Sequence, residues 1–90
     1  MKDSLYIKTR LDNLKCTIIP QSIEYTMPHH ERIQIVSWIY NNGNVQTEHC
    51  VRLKLTGCKE ELTALQFVGE SGLQTACVNA KIEELENILN

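Results

Sequence analysis

The chain has 90 residues, 42% of them hydrophobic and 22% charged, and a formal net charge of −2. These values suit one globular domain over residues 1–90 and exclude a disordered chain, while no apolar run reaches the roughly 18 residues of a membrane span. The four cysteines are scattered without a C-x-x-C pair, and no signal-peptide pattern opens the chain. We therefore predict reduced thiols and a cytoplasmic, intracellular location.

Residues 5–20 predict a first β-hairpin. Apolar and polar side chains alternate on both sides of Asp12-Asn13, a dipeptide typical of tight turns. A two-residue turn there pairs Leu11 with Leu14 and gives both strands the same apolar face.

Residues 21–31 carry the weakest signal. The alternation of apolar residues from Ile23 to Met27 allows a short edge strand. The adjacent His29 and His30 fit a solvated loop better than a metal site, because neighbouring side chains of an extended segment point apart.

The chain is organised around residues 32–56, which predict a second hairpin. Residues 33–40 are mostly β-branched or aromatic, and residues 45–55 alternate with a period of two. Residues 41–43 contain Asn-Gly, a strong hairpin signal, and a three-residue loop there gives one consistently apolar face.

If both hairpins share one sheet, its open face gathers cationic and aromatic side chains. Aromatic residues and arginine are the types that most often dominate the binding energy of protein interfaces. The residues predicted to contact a partner are Trp38, Tyr40, Arg32, Arg52, Lys54, Tyr6, Lys8 and Arg10. The alternative for Trp38 is a place in the core beneath another element.

Two helices are predicted to follow, at about 59–69 and 79–89. The predicted fold class is therefore α+β. A small antiparallel sheet, built from the hairpins at about 5–20 and 32–56, is covered on one face by these two helices.

In the first of these helices, Leu62, Leu65 and Val68 recur at helical spacing and are expected to face the sheet. The second helix is predicted to begin at Asn79 as its N-cap, with the acidic run at 83–86 on its solvated face. The segment before it, residues 73–78, fits a short strand or a coil.

No catalytic or metal-binding motif is visible in the sequence. Nucleophile elbows, phosphate-binding glycine loops and H-E-x-x-H are all missing. His49 and Cys50 are adjacent, so on a strand their side chains point to opposite faces. We therefore expect no cofactor, no metal and no enzymatic activity.

These observations predict a non-enzymatic binding or regulatory module. We expect its basic and aromatic sheet face to engage another protein of acidic character, as a regulator or inhibitor of the kind that mobile elements encode. The same face also suits single-stranded nucleic acid, because bases stack on aromatic rings while Lys and Arg follow the phosphates. A homo-oligomer that buries this face is a further alternative, and no membrane contact is expected.

A different arrangement is indicated by the segments HERIQIVSWIYNNGNV, TEHCVRLKLTG and KEELTALQFVGESGLQ. Their order resembles the three helices of a winged helix-turn-helix domain, ending in the Gly-Leu that often precedes the wing. The resemblance covers about half of the chain and implies a DNA-binding transcriptional regulator. Its recognition helix would begin Lys59-Glu60-Glu61, which presents net negative charge to phosphate.

Overall fold

The computed structural model describes residues 1–41, 47–70 and 72–90. Within these residues the regular structure is entirely α-helical, so the predicted α+β class and its antiparallel sheet are wrong. The four helices are α1 (Ser4–Cys16), α2 (Ile23–Asn41), α3 (Thr47–Phe67) and α4 (Leu73–Leu89).

Helix α1 begins where Asp3 caps it. The Asp3 carboxylate accepts a hydrogen bond from the backbone N–H of Tyr6 at 2.9 Å, which satisfies a donor that the first turn leaves free. Ile7, Leu11 and Leu14 follow at spacings of four and three residues, and all three are buried. The predicted first hairpin is wrong because the same apolar residues also fit a helical period.

Helix α2 forms despite Pro28 in its second turn, where the proline nitrogen cannot donate to the carbonyl of Glu24. Its β-branched residues, which predicted a strand, cost less than about 1 kcal/mol each in a helix. Ile35, Val36 and Ile39 are buried in the core, and this burial outweighs the cost.

Helix α3 presents one narrow apolar stripe. Val51 and Cys58 are buried, and Leu55, Leu62 and Leu65 pack half-buried against the core. The spacing alternates between four and three residues, which is the period of a helix that packs along one seam. Helix α3 therefore continues through residues 57–58, which separate the predicted second hairpin (32–56) from the predicted helix at 59–69.

The second hairpin is also wrong. Residues 32–41 belong to α2 and residues 47–56 belong to α3. Residues 42–46, which hold most of the predicted loop, lie outside the described residues. The second segment of the winged helix-turn-helix resemblance (47–57) and the first part of the third (59–67) belong to the same helix, α3, without a turn between them.

The two predicted helices are correct in part. The prediction at 59–69 covers the second half of α3, and the one at 79–89 lies within α4. Residues 21–31 and 73–78, for which no clear prediction could be made from the sequence, are also mostly helical. Helix α2 begins at Ile23 and α4 begins at Leu73. Asn79 consequently lies inside α4 and is not an N-cap.

Helix α4 occupies the centre of the molecule. It packs against α2 and against α3, whereas α1 packs mainly against α2. Its buried residues cover more than half of its circumference: Cys77, Val78, Ala80, Ile82, Glu84, Leu85, Ile88 and Leu89.

Contacts between the helices fix their directions. Helix α1 runs antiparallel to α4, since the N–H of Lys2 donates to the carbonyl of Ile88 at 2.7 Å while Arg10 meets Glu84. The short connection between α3 and α4 makes these two neighbours antiparallel.

Helix α2 runs parallel to α4. The starts of both helices line one cleft, at Ile23 and Leu73, and further along Glu31 pairs with Lys81 at 3.8 Å. The end of α1, the start of α2, the end of α3 and the start of α4 therefore lie at one end of the molecule. Among the described helices, none is both long enough and apolar enough to cross a membrane.

Candidate functional site

The residues predicted to contact a partner are distributed over three helices, because the described parts of both predicted hairpins are helical and do not form the sheet that was to gather them. Tyr6, Lys8 and Arg10 lie on α1, Arg32, Trp38 and Tyr40 lie on α2, and Arg52 and Lys54 lie on α3. The structure brings Arg10 close to Arg32 and Trp38 close to Lys54.

Arg10 and Arg32 converge on a buried carboxylate, that of Glu84, which is 2% exposed. Arg10 donates from Nε to Oε1 and from Nη2 to Oε2, both at 2.7 Å. Arg32 donates from Nη1 to Oε2 of Glu84 at 2.7 Å and from Nη2 to Glu83 at 2.6 Å. These four residues, the Glu84 cluster, join α1, α2 and α4.

The arginines decide the charge state of Glu84. Burial by itself raises the pKa of its carboxyl group, because an ion is poorly solvated there. The hydrogen bonds and charges of Arg10 and Arg32 outweigh burial and hold the pKa below its ordinary value. Two arginines and two glutamates leave the cluster with no net charge, so it stabilises the fold and offers no site for a free ion.

The predicted aromatic residues also have internal partners. Trp38 is half-buried against the core, and Nζ of Lys54 lies 5.9 Å from the centre of its ring. The Tyr6 hydroxyl accepts a hydrogen bond from Nδ2 of Asn87 at 2.6 Å. Tyr40, near the end of α2, is exposed.

The remaining predicted cations pair with acids one turn away. Arg52 lies 2.9 Å from Glu48, and Lys8 lies 3.8 Å from Asp12. Together with the Glu84 cluster, this places four of the five predicted cations beside carboxylates. The predicted basic surface is therefore largely neutralised.

A different surface stands out at the end of the molecule where α1 stops and α2 starts. Five apolar side chains there are between 62% and 94% exposed: Ile18, Ile23, Tyr25, Phe67 and Val68, which we call the apolar end. Single exposed apolar residues are ordinary, but several at one end of a small domain are typical of an interaction surface.

Two clefts open among these residues. The first, of about 290 Å³, lies between the α1–α2 connection and α2, with Ile18 and Tyr25 in its walls. The second, of about 480 Å³, lies between Ile23 on α2 and Leu73 on α4. Glu24 lines both clefts, so the two form one continuous surface.

His29 fixes the geometry of the first cleft. Its Nε2 lies 2.6 Å from the carbonyl oxygen of Leu14, and because a carbonyl only accepts, Nε2 carries the hydrogen. This bond ties the last turn of α1 to α2, and the same carbonyl also accepts the backbone N–H of Thr17 at 3.4 Å. The prediction that His29 and His30 lie in a loop is wrong, since both belong to α2.

The described part of the chain shows no arrangement suited to a metal ion. No three His, Cys, Asp or Glu side chains within it lie close enough together to share one. Cys16, Cys50, Cys58 and Cys77 are all free thiols, and the last two are buried.

The prediction that the acidic run at 83–86 faces solvent is wrong for Glu84, which is buried, and sequence reasoning missed the apolar end. Glu84 is spaced four residues from Ala80 and from Ile88, both buried, and this spacing was the signal that it faces inward. Val68 was expected to face the predicted sheet, but it follows the last residue of α3 and is exposed. Ile18 lies within residues 5–20, which were predicted to form the first hairpin, but it follows α1 and is exposed.

Comparisons with models of known protein families, with curated protein sequences and with solved structures find no match to this chain.

Proposed function

We propose that this chain is a non-enzymatic module that binds another protein through the apolar end. The observation that carries the proposal is the exposure of five apolar side chains at one end of the molecule, three of which, Ile18, Ile23 and Tyr25, line two adjoining clefts. Covering such side chains releases water from apolar surface, which is the main source of free energy in protein association. The clefts offer places for side chains of the partner to be buried.

The charges favour a protein partner over a nucleic acid. Binding of a phosphate backbone needs Lys and Arg side chains that can exchange counterions for phosphate. Four of the five cations predicted for that role lie beside carboxylates, two of them in the Glu84 cluster. A phosphate would have to displace these carboxylates, and Glu84 would then be left buried without a partner.

The module acts in the cytoplasm as a regulator or inhibitor. Four free cysteines suit a reducing compartment. A small module without chemistry of its own changes the activity of its partner by occupying a surface of it. The apolar end provides that contact.

Photocrosslinking followed by binding measurements tests the proposal. A benzophenone amino acid at position 18 captures proteins from a lysate of the source cells, and the captured protein is then produced in pure form. Its affinity is measured for the unchanged chain and for the double variant Ile18→Ser/Ile23→Ser. The matched control is Leu5→Ser/Leu53→Ser, which removes two exposed leucines outside the apolar end.

We expect the double variant at the apolar end to lose at least about tenfold in affinity while keeping its melting temperature, because both isoleucines are exposed. The control should bind like the unchanged chain. Equal loss in both variants, or no loss in the first, contradicts the proposal.

A further inference from the structure

Glu24 lies between the two clefts of the apolar end. It follows Ile23, which lines the second cleft, and precedes Tyr25, which lines the first. Its own side chain lines both clefts, so any partner that fills the two clefts together also covers this carboxylate. Glu70, two residues before Gly72 of the second cleft, adds a further acidic residue to this end of the chain.

The arginine and the histidine that line the first cleft already have partners. The Arg32 guanidinium, which lines the first cleft, is bound by Glu83 and Glu84. His29 is bonded to the carbonyl of Leu14. Glu24, by contrast, forms no ion pair with any residue that the structure describes, so its charge is unbalanced within the two clefts.

Covering Glu24 without a cation is unfavourable. A carboxylate that loses its water without gaining a partner costs more free energy than the adjacent apolar contacts provide. An acidic partner is excluded more strongly still, since like charges in contact repel. The surface therefore selects partners that supply a positive charge between two apolar contacts.

We propose that the apolar end recognises a segment of a partner protein in which apolar side chains flank a lysine or arginine that pairs with Glu24. This inference rests on the proposed function and specifies its partner. It reverses the acidic partner that the predicted basic sheet face implied.

A second copy of this chain does not meet the requirement. In a two-fold contact between two apolar ends, the Glu24 residues of both copies would enter the same interface. Arg32, the arginine among the described residues that line the clefts, is committed to the Glu84 cluster in each copy. The clefts of a second copy would therefore offer Glu24 no uncommitted cation, and the occupant that we propose is a different protein.

A library of random linear peptides displayed on phage provides the probe. Peptides selected on the unchanged chain are synthesised, and their dissociation constants are measured for Glu24→Gln, Glu24→Lys, Ile18→Ser/Ile23→Ser and the control Glu61→Gln. Glu61 is an exposed glutamate in the second half of α3, outside both clefts. Melting temperatures are recorded for each variant, because Glu24 also lies in the first turn of α2, where the helix dipole favours an acid.

We expect the selected peptides to share a Lys or Arg between apolar residues. Glu24→Lys should weaken their binding by at least about tenfold and Glu24→Gln by less, whereas Glu61→Gln should leave it unchanged. Peptides that lack a basic residue, or that bind Glu24→Lys equally well, overturn the inference while leaving the apolar end as a binding surface if the isoleucine variant loses them. A library that yields no binder, or only binders indifferent to the isoleucine variant, overturns both proposals.

Discussion

Glu84 shows how the surroundings of one side chain determine its role. An acidic residue is rarely buried unless it is paired, and here two arginines from two helices share one carboxylate. Glu83, its neighbour in the chain, is exposed and takes only the outer hydrogen bond of Arg32. The neighbouring glutamates thus differ in role because a step of one residue turns a helical side chain by about 100°.

Replacing Glu84 with Gln should lower the free energy of unfolding at neutral pH by about 3 kcal/mol, because it leaves two arginines without their shared anion. The loss lies at the lower end of the range for buried ion pairs because both arginines are partly exposed to water. Urea unfolding measures the change. Glu86→Gln, an exposed glutamate of the same helix, serves as control and should change stability by less than about 0.5 kcal/mol.

The same pair of proteins tests the pKa of Glu84. A carboxyl group whose pKa is lowered by folding contributes stability above its unfolded pKa of about 4.3, and that stability is lost as the pH falls through the folded pKa. The difference in stability between the unchanged chain and Glu84→Gln should therefore shrink below about pH 4. A difference that stays constant with acidification would show that Glu84 is not held ionised by the arginines.

At the scale of elements, α3 illustrates why a period of two can mislead. Val51 and Leu55 satisfy the alternation of a strand and the spacing of a helix equally well. The residues that separate the two structures are Leu53, which a strand would bury, and Cys58, which lies beyond the alternating stretch. In the structure Leu53 is exposed and Cys58 is buried, as the helix requires.

Substitutions at Val51 and Leu53 in α3 should therefore change the free energy of unfolding by different amounts. Val51→Ala should lower the free energy of unfolding by about 2 kcal/mol, because it opens a cavity at a fully buried site. Leu53→Ala should change it by less than about 0.5 kcal/mol, because that side chain is already in water. Denaturant titrations of both variants give the comparison, and a similar loss in each would instead indicate a strand with both residues on one buried face.

The helices differ in how far the sequence could predict them. The leucines at helical spacing in 59–69 and 79–89 were sufficient to predict helices there, since no alternation typical of a strand occurs in these segments. In α1 and α2, β-branched residues and a turn-like Asp-Asn favoured strands locally. Packing against the other helices outweighs this local preference and stabilises the helical form. The cap at Asp3, followed by Ile7, Leu11 and Leu14, was the one local signal for α1.

The candidate site was less accessible to sequence reasoning than the fold. Exposed Ile18 and Phe67 look like core residues in a sequence, and only the directions of the four helices bring their segments to one end. Likewise, nothing in the sequence indicates that Glu24 lines two clefts, since Leu73 and Ala76 lie about fifty residues away along the chain.

For the molecule as a whole, the high content of α-helix can be tested by spectroscopy. Far-UV circular dichroism of the purified chain should be dominated by the signal of α-helix, because four helices account for most of its residues. Small-angle scattering should agree with a compact particle, whose Cα radius of gyration is 13.4 Å. A spectrum dominated by β-structure would contradict the architecture described above.

The central place of α4 bears on the order of events during synthesis. A ribosome releases α1, α2 and α3 before the last of the four helices, yet α2 and α3 pack chiefly on that late helix and α1 reaches it through Arg10. Until α4 emerges, the apolar stripes of the earlier helices and the Arg10 and Arg32 side chains lack their main partners. The domain therefore completes its folding only after Glu84 has left the ribosome.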